Sequence, residues 1–265
     1  MTSPFMQRNS LLALQTDRRW PAGYEYRYVP QVGSTMDEAR AIAPHLSAPT
    51  WIHAGAQTQG RGRRARAWRD PSGNLATTLV MPVQDVATEL VSLASFIAAL
   101  AVYDMAHEMI GSEQSMTLKW PNDVLINGGK VSGILLEGHH PKSGPVVSIG
   151  IGVNLVAAPQ SNTLEQGAVA PVALGQFMPA APDPNIVMGS LADHFARYWA
   201  IFRTEGFAPI RAAWMAHAAH LGCDITARLP KETHVGRFDG IDTDGCLLLS
   251  TRHGPLRIAA ADIYF

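Results

Sequence analysis

The stretch from Met116 to Glu137 limits the possible folds more than any other part of the chain. Three strand-like segments, Met116 to Trp120, Val124 to Ile126 and Lys130 to Glu137, follow one another with short breaks. The second break is Asn127-Gly128-Gly129, and Asn and Gly are the residues that accept the positive φ angles of a tight hairpin. Strands joined this closely run antiparallel, because a parallel pair needs a crossover of about a dozen residues. More strands are expected over Trp51 to Ala56, Leu75 to Met81 and Val146 to Leu155.

Helices fill the remaining long segments. Thr35, with Glu38 three residues on, has the pattern of a capped helix start, and that helix should stop before Pro44. A long apolar helix is expected from about Ala87 to Ile110. Within it, Leu90 to Tyr103 is fourteen residues without charge, bounded by Glu89 and Asp104. This is short of the roughly 20 residues that span a bilayer, so it reads as a buried core helix. Leu191, Phe195, Tyr198 and Phe202 recur at helical spacing and predict a helix from Asn185 to Arg203. Another helix should end near His220, before Gly222, and Pro159 to Pro184 reads as an irregular connection. The fold class is α+β, a mixed or antiparallel sheet flanked by helices.

Beyond Gly222 the pattern changes to short strands, Asp224 to Leu229, Val235 to Ile241, Leu247 to Ser250 and Leu256 to Ala259, with polar turns between them. They predict a small appended barrel. At 265 residues the chain accommodates one large and one small domain, divided as 1–221 and 222–265.

Charge narrows the functional classes. With 21 Lys and Arg against 22 Asp and Glu, no broad positive face exists to hold a nucleic-acid backbone. Cys223 and Cys246 are too few for a disulfide framework, and the N-terminus has no long apolar signal, so a cytoplasmic protein is expected.

Against that balance, Gly60-Arg61-Gly62-Arg63-Arg64-Ala65-Arg66 packs four arginines into seven residues. It is either a solvated basic loop or a glycine-hinged loop whose guanidiniums close over phosphate or carboxylate. It also matches a dinucleotide-binding fingerprint, with Asp85 at a fitting distance. That reading fails because Pro71, Gly73 and Asn74 follow where a helix must begin. Lys119-Trp120-Pro121-Asn122-Asp123 is followed by Lys130 just past the hairpin. Lys130 and Asp123 could form an ordinary surface pair or part of a site. Asn127 to Lys130 is not a phosphate-binding loop, since Val124 stands where a glycine is required. His217, His220, Cys223 and Cys246 match no standard zinc spacing.

Four segments in series resemble the biotin protein ligase family, in its form without an N-terminal DNA-binding domain. They are Gly33-Ser34-Thr35-Met36-Asp37-Glu38-Ala39, Gln57 to Trp68, Lys119 to Asp123 with Lys130-Val131-Ser132-Gly133, and Gly150-Ile151-Gly152-Val153-Asn154-Leu155. The resemblance implies a sheet related to class II synthetase and lipoate ligase folds, plus a C-terminal SH3-like barrel. It implies ATP and Mg2+ as cofactors and biotin as substrate, forming biotinyl-5'-AMP. The acyl group then passes to a lysine of a biotin carboxyl carrier domain of a biotin-dependent carboxylase. A homodimer is also allowed, with no nucleic-acid or membrane partner.

The same resemblance assigns residues. Arg63, Lys130 and Asp123 are the catalytic candidates, with Asp123 orienting the acceptor lysine or taking its proton. Ser34, Thr35, Gln57, Gly60, Arg61, Arg63, Lys130 and Gly133 would hold biotin. Arg61, Arg66, Trp68, Asn122, Lys130 and Asn154 would hold the adenylate, and no residue is assigned to a metal. Met36 and Ala65 depart from the family pattern, replacing a common Asn and a usual loop Gly. The rival readings are a lipoate or octanoate ligase of the same fold, and a non-catalytic module that binds through the basic loop.

Overall fold

The computed structural model describes residues 20–69, 71–86, 91–159 and 169–265. Seven strands form the main sheet: β1 (Glu25–Val29), β2 (Thr50–Ala54), β3 (Leu75–Pro82), β4 (Met116–Lys119), β5 (Asp123–Ile126), β6 (Gly129–His139) and β7 (Val146–Val153). Their spatial order is β1-β2-β3-β7-β6-β5-β4. Among the described strands only β1 and β2 run parallel, so of the two expected arrangements, mixed or antiparallel, the sheet is mixed. Asn127 and Gly128 take the positive φ angles, 48° and 78°, that close the β5–β6 hairpin.

Alternation along β7 separates the two faces of this sheet. Val147, Ile149, Ile151 and Val153 join the large helical core, whereas Val146 packs in a separate cluster with Ala39, Ile52 and Val80. Successive side chains on a strand point to opposite faces, so Gly150 and Gly152 share the face of Val146. Helix α1 (Thr35–Ile42) covers part of that second face, packing on β2, β3 and β7. The first face carries α2 (Ala94–Ile110), which packs on β4 to β7 and against α3 (Pro184–Glu205), followed by α4 (Phe207–Ala216). Because α2 lies between sheet and helices, Phe96, Ile97, Leu100, Val102 and Met105 are all buried. Each contributes about 1.5–3 kcal/mol of apolar burial. Among the described residues, no helix is long and apolar enough to cross a membrane.

A second sheet holds β8 (Asp224–Arg228), β9 (Thr233–Ile241), β10 (Leu247–Thr251), β11 (Gly254–Ile258) and β12 (Asp262–Tyr264). Its order is β11-β10-β9-β8-β12, all antiparallel. Strand pairing makes it an open sheet with β11 and β12 as its edges, where a small barrel was expected. Its apolar face shares one continuous core with the first sheet. Trp120 Nε1 donates to the Gly245 carbonyl at 2.9 Å, and Arg211 Nε to the Ile241 carbonyl at 2.6 Å.

Several boundaries differ from expectation. Ser34, not Thr35, caps α1, its Oγ accepting from the Met36 amide at 3.3 Å. The helix expected to run to His220 ends at Ala216, and the chain then runs alongside β4 through Leu118 and Ala219. Strands β1 and β12 were not anticipated, because both are short edge strands whose own pattern is weak. Residues 87–90 of the expected long helix and 160–168 of the expected irregular connection lie outside the described residues; α2 as described begins at Ala94.

Candidate active site

The glycines of β6 and β7 create the hollow. Gly133 and Gly152 are register partners, so two residues without side chains sit opposite each other on the face that α1 leaves open. A cleft of about 470 Å³ lies there. The Trp68 indole rests on this floor, where a Cβ on Gly152 would come within 2.3 Å of its Cε2. Lys130 Nζ stands 5.8 Å from the same ring's centroid, within cation–π range.

One end of the hollow is polar and tightly ordered. Gln57 Oε1 accepts from the Thr35 amide at 2.8 Å and from Thr35 Oγ1 at 3.0 Å, while Thr78 Oγ1 donates to Thr35 Oγ1 at 2.8 Å. With both bonds on Oε1, Nε2 becomes the donor end of the Gln57 amide. Met36, the departure from the family pattern, is buried with its Sδ 2.8 Å from where a Cβ of Gly150 would be. It therefore fills the space over that glycine with an apolar, adaptable side chain.

The arginine loop lies across the mouth. Its neck is closed by the Trp68 amide donating to the Gly60 carbonyl at 2.9 Å, and a Cβ on Gly60 would sit 2.7 Å from the Trp68 oxygen. Three of its arginines meet carboxylates from distant elements. Arg61 donates to Asp37 at 2.6 Å and to both oxygens of Glu137 at 3.3 Å. Arg64 and Arg66 donate to Asp262 at 2.5 and 2.7 Å. Arg63 instead donates to Asn122 Oδ1 at 3.3 Å, and Asn122 is itself fixed by donating to the Ile134 carbonyl at 2.6 Å. Burial pulls the Arg63 pKa below its usual value, partly offset by Asp262 and Asp123. A guanidinium stays charged in proteins, so this is a poorly hydrated cation facing the cleft. The loop's left-handed residue is Arg64, with φ 54° and ψ 36°, while Ala65 closes the same short 3-10 turn, Arg63–Ala65.

Asp123 begins β5 and is 9% exposed. Lys130 Nζ lies 2.6 Å from its Oδ1 and Lys119 Nζ 3.8 Å from its Oδ2. The pair that could have been a surface contact is thus within the cleft wall. A bulge between Val124 and Leu125 puts Lys130 opposite Leu125, and its side chain reaches back to Asp123. Lys119, quoted in the sequence motif without a role, also lines the cleft. Burial lowers its pKa, and the charge of Asp123 works against that shift. Just past β7, Asn154 Nδ2 donates to the Val172 carbonyl at 3.1 Å, while its buried Oδ1 has no hydrogen-bond partner among the described residues. That oxygen is an acceptor waiting for a donor in the cleft.

Every sequence candidate except Gly60 therefore lines one cleft. Among the described residues, six cationic side chains border it (Arg61, Arg63, Arg66, Arg69, Lys119, Lys130) against two carboxylates, Asp123 and Asp262. Such a site can bring two anions together. Sequence reasoning missed Asp37, Glu137 and Asp262, which anchor the loop, and Thr78, which ends the Thr35–Gln57 chain. Among the described residues no group of three or more His, Cys, Asp or Glu is placed to hold a metal. His217 stacks on Tyr103 at 4.1 Å and His220 on Phe265 at 3.7 Å, two separate aromatic contacts.

The class that this fold and cleft point to is the biotin/lipoate A/B protein ligase family, whose family model matches residues 29–154. The biotin--[acetyl-CoA-carboxylase] ligase of Paracoccus denitrificans is 47% identical over 235 residues, 88% of this chain and 97% of that protein. The bifunctional ligase/repressor BirA of Bacillus subtilis is 33% identical over 244 residues, 91% of this chain and 74% of that protein. Biotin protein ligase from Aquifex aeolicus, solved in complex with biotin and ATP, superimposes with a TM-score of 0.75 at 23% identity, covering 90% of this chain and 97% of that one. Within the class, the chain belongs to the biotin protein ligase family.

Proposed function

We propose that the protein is an ATP-dependent biotin protein ligase. The biotin carboxylate attacks the α-phosphorus of ATP, pyrophosphate leaves, and biotinyl-5'-AMP remains in the cleft. A lysine amine of a biotin carboxyl carrier protein then attacks the acyl carbon, releasing AMP. The observation that carries this reading is the placement of Arg63 and Lys130 beside a glycine-floored hollow whose far end is the ordered Thr35–Gln57 pair. One end suits a ligand with a compact polar head, and the other suits two anions that must approach each other.

Roles follow from position. Ser34, Thr35 and Gln57 take the ureido end of biotin, with backbone of Gly133; Gly60 contributes by closing the neck of the loop. Arg63 and Lys130 sit between carboxylate and α-phosphate and offset the charge that grows on the phosphorus oxygens. Arg61 and Arg66 neighbour the nucleotide phosphates; a guanidinium has five N–H donors, so each can keep a carboxylate and still reach phosphate. Asn122 holds Arg63 toward the nucleotide. Trp68 packs on the purine, and the Oδ1 of Asn154, which has no partner among the described residues, suits an exocyclic amine. Asp123, gripped by Lys130 and Lys119, orients the acceptor lysine or takes its proton. Mg2+ accompanies ATP, but the described residues offer it no ligand cluster, and no step is assigned to it.

The division at 221/222, an SH3-like character for the second sheet, and a cytoplasmic location belong to the same reading. So do a homodimer and the exclusion of nucleic acid by the balanced charge. The decisive test is ATP–pyrophosphate exchange with biotin, lipoate and octanoate supplied separately. Exchange with biotin is expected. Exchange with lipoate alone would move the protein to the rival ligase, and none with any acid would favour a binding module.

A further inference from the structure

We propose that Asp262, near the end of the chain, clamps the arginine loop closed and so governs how long the activated acid stays bound; this rests on the ligase reading above. Asp262 opens β12, the edge strand held to β8 in the second sheet. Its side chain is 13% exposed, and one oxygen, Oδ2, receives both Arg64 at 2.5 Å and Arg66 at 2.7 Å. The partners lie 198 and 196 residues earlier in the chain, so the contact exists only because the second sheet is folded against the site. Ala261, Ile263 and Tyr264 line the same cleft, which makes β12 a wall as well as a fastening.

The loop's backbone agrees with this role. Arg64 occupies the left-handed region, uncommon for a residue with a side chain, and the turn that places it there is the one that brings its guanidinium to Asp262. At the other end of the loop, Asp37 and Glu137 hold Arg61. Fastened at both ends, the loop presents Arg63 to the cleft between them. A mixed anhydride must be kept from water until the carrier arrives, and the loop must then open for a lysine. Ion pairs with partly exposed arginines suit that alternation, since each is weak enough to break and is screened by salt.

The test compares wild type, Asp262→Asn and Asp262→Glu in single turnover with biotin and MgATP. Asp262→Asn should release biotinyl-AMP roughly tenfold faster than wild type, read by rapid filtration and by labelling of lysines on an unrelated protein; Arg64→Ser, whose side chain lies outside the cleft lining, should do the same while keeping biotin-dependent pyrophosphate exchange within about threefold. Asp262→Glu should restore most of the retention. Raising salt to about 0.5 M should speed release from wild type by a larger factor than from Asp262→Asn, which keeps only the Arg61 pairs to be screened; a purely structural residue would leave the two factors equal. Release at the wild-type rate from folded Asp262→Asn, or salt-independent release from wild type, overturns the clamp. If Asp262→Asn does not fold, Arg64→Ser, a change at an exposed side chain, must give the same leak. Should wild type show no exchange, the ligase reading falls by itself. The clamp is then judged by tryptic cleavage within the loop, which must be several-fold faster in Arg64→Ser than in wild type.

Discussion

Arg61, Arg64 and Arg66 meet carboxylates, whereas Arg63 meets an amide oxygen, and this difference is the basis for assigning Arg63 a role of its own in the proposed reaction. Arg63→Ala is expected to slow biotinyl-AMP formation by on the order of 10- to 100-fold and to let the intermediate escape. Unchanged formation together with unchanged leakage in single turnover would remove Arg63 from the catalytic set. A second residue-scale prediction concerns His53, which is 2% exposed, hydrogen-bonded to Tyr26 at 2.8 Å, and pushed by burial down to a pKa of about 4. Unfolded, the imidazole takes up a proton near pH 6.5, so the unfolded state binds more protons between about 6.5 and 4. Stability from this group is therefore full above the upper value and falls as pH drops toward the lower one, by about 2 kcal/mol at pH 5. Urea titrations at pH 7 and 5 should show wild type losing about that much more than His53→Gln. Equal losses would mean that His53 is protonated without penalty in the folded protein. The candidate site residues were legible in the sequence because they fall in four short motifs that together resemble one family. Their partners were not: Glu137 lies 76 residues from Arg61, and nothing local marks it.

At the scale of elements, β7 does two things at once. Its odd positions bury Val147, Ile149, Ile151 and Val153 in the helical core, and its even positions leave Gly150 and Gly152 bare on the other face. Gly152→Ala would add a methyl group to the cleft side alone, where it meets Trp68. Folding should survive, while displacement of the indole should raise the KM for ATP about tenfold, with the thermal midpoint within a few degrees of wild type. Wild-type kinetics from this variant would show that the indole does not need its seat. Strands with strong patterns, such as β6 and β7, and the helix α3 could be read from the pattern of apolar residues, and α2 from the length of its uncharged apolar run. The edge strands β1 and β12 could not, because each gains its order from the neighbour it pairs with.

The whole molecule is united by its core. Residues of both sheets belong to one apolar cluster, and Trp120 Nε1 crosses between them to the Gly245 carbonyl. Calorimetry should therefore record a single transition with equal calorimetric and van't Hoff enthalpies. Two resolved transitions would mean that the second sheet folds by itself. Trp120→Phe, which leaves that buried carbonyl without its donor, should cost about 1–3 kcal/mol in a denaturant titration.

The amino-acid sequence alone determined the fold class, the hairpin, the cationic loop and the residue types of the cleft, because these depend on local periodicity, turn chemistry and short motifs. Tertiary structure decided which arginine meets an amide oxygen in place of a carboxylate, that Lys130 and Lys119 share Asp123, and that Asp262 pairs with a loop about two hundred residues earlier. Charge pairing acts through space over a few ångströms, and chain order carries no record of which distant carboxylate folding will bring within reach.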